Sequence, residues 1–213
     1  MTETVPKSLL LVAGVPFIDL QLQYLKRQGA RRVVLCVGYL GEALKTHVGD
    51  GSRYGLNVEY SWDGKEPLGT GGAVRKAACG LGDSAFFVLY GDSYVSCDLL
   101  KAQETLKNSP DWALMTVFKN ENKWVPSNVE IRDGRIVKYS KEERTPRMKH
   151  VDYGLGLFLS RPFMAHEFHD LASAYRQFLK EDRLSALEIS TRFYEIGSPQ
   201  GLQELEKHLK ETA

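Results

Sequence analysis

Apolar positions along the chain recur with two periods. In PFIDLQLQYLKR, Ile18, Leu22 and Leu25 fall at i, i+4 and i+7, which predicts a helix over 16–27 that Gly29 closes. Residues 33–37 form a continuous apolar run rich in β-branched side chains. That predicts a strand buried on both faces, as parallel strands are. Leu40, Leu44 and Val48 mark a short helix, GDGSRYG reads as a loop, and LNVEYSW alternates as a strand. The cycle then repeats. GTGGAVRKAACGLG reads as a glycine-rich turn entering a helix with Ala73, Val74, Ala77 and Ala78 on one face. FFVLYGD is a second buried strand, CDLLKAQETLKNS a helix with Leu99 and Leu106 inward, and WALMTVFK another strand. Strands alternating with helices predict βαβ units and a mainly parallel sheet.

The second half changes character. NVEIRDGRIVKYS is two alternating runs around Asp133-Gly134, a strong hairpin signal. VDYGLGLFLS predicts a strand, 161–180 a helix, and FYEIGSP a short strand and turn. Ser198 is a helix cap, and Pro199 suits the first position of a last helix carrying Leu202, Leu205 and Leu209. No repeat or linker interrupts the chain, so a single domain over 1–213 is expected. The first dozen residues read as a loop leading straight into a helix, where most α/β proteins begin with a strand.

Charge and cysteine usage narrow the classes. The formal net charge is +1 over 213 residues, with acids and bases mixed. That argues against nucleic-acid backbone binding, which shows a basic face or stripe. It leaves room for a compact phosphate site. No apolar run approaches the length of a membrane span. No charged stretch followed by an apolar one opens the chain, so no secretory signal is read. Cys36, Cys79 and Cys97 are odd in number and widely spaced, without a C-x-x-C pair. A zinc site or disulfide framework is not expected, and a reducing cytoplasm fits best.

In open α/β sheets, ligands bind outside the carboxyl ends of the strands. Asp92 follows FFVLY there, beside Gly91, which lets a ligand approach the backbone. Glu195 follows the late strand. Two carboxylates at strand ends suit Mg²⁺, a hard cation that takes oxygen ligands and substrate phosphates. Read singly, Asp92 is equally a turn cap and Glu195 a solvated acid. Gly69, Thr70, Gly71 and Gly72 open a helix, and glycines there either expose backbone N–H groups to an anion or simply make a tight turn. His166 and His169, in the string HEFH, are expected at i, i+3 on a helix without the metalloprotease spacing, and are read as surface residues. No G-x-S-x-G elbow or Walker-type loop is present, so hydrolysis through a serine nucleophile and ATPase activity have no support.

Five segments in order resemble the sugar-1-phosphate nucleotidyltransferase family over essentially the whole chain. They are TETVPKSLLLVAGVPFI, LGTGGAVRKA, FFVLYGDSY, VDYGLGLF and YEIGSPQGLQELEKHL. The branch acting on mannose- or heptose-type phosphates is the most similar. The resemblance implies a Rossmann-like three-layer α/β fold, a mainly parallel sheet with a β-hairpin insertion, and Mg²⁺ as cofactor. It implies a nucleoside triphosphate and a sugar 1-phosphate as partners, with no nucleic acid or membrane, and self-association as in many members. Residue by residue, it implies that Lys7 contacts phosphate and that Gly69, Thr70 and Gly71 line the nucleoside side. Asp92 would bind the metal and Glu195 complete its site, although the family often has aspartate there. Lys141, Asp152, Tyr153 and Gly154 would face the sugar phosphate. Ser8 and Val15 stand where other members have proline and lysine.

In the family a strand and a G-G-x-G-T-R loop precede the segment similar to TETVPK. The expectation is therefore a chain lacking its first strand and its main triphosphate cradle, inactive as given. Two other readings compete. A non-catalytic relative would keep the nucleotide or sugar pocket for sensing. A metal-dependent glycosyltransferase would favour a D-x-D pair, and Asp92-Ser93-Tyr94 lacks the second aspartate.

Overall fold

The computed structural model describes residues 5–212, and the part of the expected N-terminal loop at residues 1–4 lies outside them. The elements begin with strands β1 (Leu11–Val12) and β2 (Val15–Pro16), helix α1 (Phe17–Arg27), β3 (Arg32–Val37), α2 (Gly41–Val48), β4 (Asn57–Trp62), α3 (Gly69–Ala78) and β5 (Ala85–Leu89). They continue through β6 (Ser93–Tyr94), α4 (Leu99–Lys107), β7 (Ala113–Lys119), β8 (Val129–Arg132), β9 (Arg135–Tyr139) and β10 (His150–Leu159). Helices α5 (Ser160–Met164) and α6 (Leu171–Lys180), strands β11 (Leu184–Ile189) and β12 (Tyr194–Glu195), and α7 (Pro199–Thr212) complete the order. The chain packs as two units. One takes the chain up to Pro67, Gly91–Tyr94 and the segment from Tyr194; the other takes Leu68–Tyr90 and Val95–Phe193.

In the first unit, β3 and β4 pair in parallel. Ile18 and Leu22 of α1 and Leu44 and Val48 of α2 bury against Val37, Leu56 and Val58. A second apolar cluster joins Val12, Phe17, Ile196 and Leu205. It seats α7 beside the antiparallel ribbon of β6 and β12. Ser198 caps α7 through the Gly201 N–H at 3.1 Å, and Pro199 takes the first helical position, as the sequence implies.

The second unit holds a six-stranded mixed sheet. β10 runs antiparallel to β7 along its length, and β11 is parallel to β7. β10 meets β8 at His150, then pairs with β5 from Leu155 to Leu159. The hairpin β8–β9 turns at Asp133-Gly134 with φ of 51° and 77°, the pair of left-handed residues that a type I′ turn needs. Aromatic side chains fill the core: Phe158, Phe163, Tyr175 and Phe178 are buried, with Phe86 packed on them.

Three sequence readings are corrected. The helix expected over 161–180 is two helices. Asp170 accepts the Ser173 N–H at 2.6 Å in a reciprocal capping box, which starts α6 afresh after a turn. His166 and His169 lie in that turn and not on a helix. The strands read as buried on both faces are only partly so: Val33, Val34 and Leu35 are half-buried and Cys36 is exposed, and β5 is half-buried from Phe86 to Leu89. Among the described residues each pairs on one side only, β3 with β4 and β5 with β10, and a strand with one open edge keeps less cover.

Candidate functional site

Asp92 opens the ribbon of β6 and β12. The register sets Ser93 opposite Glu195, and the Ile196 N–H donates to the Asp92 carbonyl at 3.0 Å on the next rung. The two carboxylates therefore belong to adjacent rungs at one end of a short ribbon. From α1, the Gln21 amide donates to the Ser93 carbonyl at 3.0 Å and fixes the segment. The Asp92 carboxylate makes no hydrogen bond or ion pair among the described residues. Its Oδ2 lies 3.9 Å from where a Cβ on Gly197 would stand, an ordinary van der Waals distance. Ser93 Oγ is buried with no hydrogen-bond partner among the described residues. The bland reading of Asp92 as a turn cap gains nothing from this geometry, because a capping oxygen accepts a hydrogen bond from a backbone N–H, and the Asp92 carboxylate accepts none among the described residues.

The donor set at this ribbon is all oxygen: an unpaired carboxylate, an unsatisfied buried hydroxyl and the Glu195 carboxylate. In type it suits a hard cation that takes one or two carboxylates and fills its shell with water and phosphate, while the register puts Ser93 and Glu195 on one face of the ribbon and Asp92 one residue along from it. Among the described residues no three His, Cys, Asp or Glu side chains cluster, so an all-protein metal cage is not offered. In the same unit Lys7 lies exposed on a 3₁₀ turn, without an ion pair among the described residues. Val15, where other members have lysine, pairs with Val12 in the β1–β2 hairpin.

In the second unit, Gly69, Thr70 and Gly71 form the first turn of α3. That turn packs on the segment before α6. The Gly71 N–H donates to the His169 carbonyl at 3.1 Å, and the Thr70 hydroxyl accepts the Leu171 N–H at 3.1 Å. A Cβ on Gly71 would sit 2.4 Å from the Phe168 carbonyl oxygen. The glycine is needed for this close approach. Two effects oppose each other in Gly71→Ala. Alanine gains about 1 kcal/mol of helix propensity, whereas displacing a backbone carbonyl costs about 1–3 kcal/mol as overpacking does. We expect the clash to win, and thermal unfolding of Gly71→Ala to fall below the wild type. A rise in midpoint would show that the Phe168–Asp170 turn yields freely.

Asp152 and Gly154 occupy the interval where β10 shifts register against β7 and passes from β8 to β5. Gly154 has φ of 89°, which a side chain disfavours. Bulges of this kind re-aim side chains and recur beside active sites. The Asp152 carboxylate is buried and well provided with donors. Oδ1 accepts the Gly154 N–H at 3.1 Å; Oδ2 accepts the Tyr90 hydroxyl at 3.1 Å and the Tyr139 hydroxyl at 3.4 Å. The Asp152 N–H donates to Asn128 Oδ1 at 3.0 Å. Lys141, two residues beyond β9, is exposed, with its ammonium 5.8 Å from the Tyr90 ring centre. Tyr153 points elsewhere. It is fully buried, its hydroxyl meets the Ser96 backbone, and its ring lies among Phe118 and Phe193. Sequence reasoning missed Tyr90 and Tyr139. The only signal was their place at strand ends, which many core tyrosines share.

Burial raises the Asp152 carboxyl above its ordinary value of 3.8, opposed by the Gly154 N–H, the Lys141 charge and the two tyrosine hydroxyls. A carboxyl raised in the fold stabilises it while protonated. That contribution is complete below about pH 4 and is lost as pH rises through the folded value. Relative to Asp152→Asn, the wild type should lose stability as pH rises above about 4. Parallel stability curves for the two proteins would mean that the donors outweigh burial.

Comparisons with known proteins agree with this architecture. Residues 1–125 match the profile of a family described as "Nucleotidyl transferase". The chain is 35% identical over 122 residues to an N-acetylmuramate alpha-1-phosphate uridylyltransferase of Neisseria meningitidis serogroup B, a match spanning 57% of this chain and about half, 53%, of that protein. It is 28% identical over 201 residues to a D-glycero-alpha-D-manno-heptose 1-phosphate guanylyltransferase of Campylobacter jejuni, covering 92% of this chain and 87% of that one. The crystal structure of HddC from Yersinia pseudotuberculosis shares the fold, with a TM-score of 0.81 at 20% identity over 98% of this chain and 92% of that one. The match covers more than half of the chain, and the chain belongs to the nucleotidyl transferase family, with sugar-1-phosphate enzymes among its relatives.

Proposed function

We propose that this protein joins a nucleoside triphosphate to a sugar 1-phosphate, giving a nucleoside diphosphate sugar and pyrophosphate. The observation that carries the reading is the Asp92 carboxylate, which has no hydrogen bond or ion pair among the described residues and stands at a strand end next to Ser93. Asp92 and Glu195 would hold Mg²⁺, which supplies neutralisation and orientation of the triphosphate.

The chemistry asks little of acids and bases. A phosphate oxygen of the sugar 1-phosphate, already ionised, attacks the α-phosphorus in line. The bond from the α-phosphorus to the bridging oxygen breaks, and pyrophosphate leaves with the electron pair. The residues of this chain act by placing and neutralising charge. Lys7 and Lys141 are both exposed, and each would meet phosphate. The carboxylate of Asp152 is satisfied internally, so it supports the pocket and Lys141 reaches out from it. The non-catalytic reading gains no observation of its own.

The test is release of pyrophosphate with Mg²⁺ present. GTP and UTP are each paired with D-glycero-α-D-manno-heptose 1-phosphate and N-acetylmuramate α-1-phosphate, the substrates in the relatives' names. The same assay is run on a protein extended upstream of Met1 by a strand and a G-G-x-G-T-R loop of the family type. Turnover in either protein supports the reading. A folded pair that turns over none of these combinations, with chelator-insensitive background only, overturns it.

A further inference from the structure

Tyr90 links the satisfied interior of the Asp152 cluster to an exposed cation. Its backbone N–H donates to the Gly154 carbonyl at 2.9 Å, and its hydroxyl donates to Asp152 Oδ2 at 3.1 Å. These two bonds tie both ends of the residue to the β10 bulge. Rotation of the side chain would then leave Asp152 Oδ2 with only the longer bond from the Tyr139 hydroxyl at 3.4 Å, which costs part of a hydrogen bond. The ring that results is fixed, half-buried, and stands under the Lys141 ammonium at 5.8 Å. That separation lies within the reach of a cation–π contact. Lys141 also senses the Asp152 charge. A free lysine side chain samples many rotamers, so a contact that restricts it lowers the cost of meeting a phosphate.

We propose that Tyr90 is a positioning residue: anchored by Asp152 and Gly154, its ring holds the Lys141 ammonium where a sugar phosphate is met. This rests on the nucleotidyl-transfer reading above. Tyr90 does not itself touch substrate. Tyr139 shares Asp152 Oδ2 at 3.4 Å and braces the other side of the carboxylate, so the hub survives when Tyr90 is changed.

Two measurements on the full chain decide it. The first is geometric. Reductive ¹³C-methylation labels the lysines, and Lys141 is assigned by its loss in Lys141→Met. Its signal should carry a ring-current shift that Tyr90→Leu removes and Tyr90→Phe retains. The second is kinetic. Tyr90→Leu should raise KM for the sugar 1-phosphate about tenfold, while KM for the nucleoside triphosphate stays within about twofold. Tyr90→Phe should fall between. Adding Tyr90→Leu to Lys141→Met should change nothing further, since both act through one ammonium. An unshifted Lys141 signal, an equal rise in both KM values, or additive losses would overturn the proposal. If the wild type, with or without the upstream loop, turns over no substrate pair, the nucleotidyl-transfer reading fails and the affinity claim with it. The ring-current arm still reports separately whether Lys141 stands on Tyr90.

Discussion

Asp92→Asn should reduce pyrophosphate release by about a hundredfold to a thousandfold or more and leave the fold nearly untouched. Loss of one carboxylate from a catalytic metal site removes several kcal/mol of transition-state stabilisation. Stability should change by less than about 0.5 kcal/mol, because the carboxylate has no hydrogen bond or ion pair among the described residues. The separation between the two effects is the informative part. A carboxylate that capped a turn would cost stability when neutralised, and here it does not cap. Glu195→Gln should lower activity less, since the longer side chain sits on the adjacent rung. The measurement is single-turnover product formation across a Mg²⁺ titration, with thermal unfolding of each variant beside it. Normal turnover by Asp92→Asn would remove Asp92 from the metal site.

Phe158→Ala should be the most destabilising single change in the second unit, at about 3–5 kcal/mol. Phe158 is fully buried. Its ring stands 5.2 Å from Phe163 and Tyr175, 5.8 Å from Phe86 and 6.5 Å from Phe178. Those contacts join β5, β10, α5 and α6, so the cavity left by alanine cannot collapse onto one neighbour. A loss of this size is a large part of a typical 5–15 kcal/mol total. Urea unfolding should show a lower midpoint at an unchanged slope. Phe158→Leu, which keeps much of the volume, should cost less than about 1.5 kcal/mol. A loss below about 1 kcal/mol for alanine would show that the aromatic core repacks.

The two predictions probe opposite ends of the legibility of this sequence. The place of Asp92 just past a strand was legible, because FFVLY announces that strand. Phe158 was legible as core within VDYGLGLFLS, and the hairpin at Asp133-Gly134 followed from turn chemistry. The last helix followed from Ser198, Pro199 and three leucines at helical spacing. The split between α5 and α6 was partly legible, because Asp170 and Ser173 carry a capping signal that a long apolar period obscured. Strand β11 lies in LSALEI, a short run that periodicity leaves undecided between strand and helix.

The sequence by itself determined most of the element types, the α/β class, the family, and which residue types stand at strand ends. These depend on local periodicity, on caps and turns, and on motifs in a fixed order. Only the tertiary structure decided which groups meet. Gly69 to Gly71 pack on the Phe168–Asp170 turn because α3 and the start of α6 are brought together across a hundred residues. Asp152 is satisfied by Tyr90, Tyr139 and Gly154, while Tyr153 turns into the core, because a bulge falls where β10 passes from β8 to β5. Half-burial of β3 and β5 follows from pairing on one edge, which no run of apolar letters states. Hydrogen bonds between distant segments depend on register, and register is a property of the folded sheet.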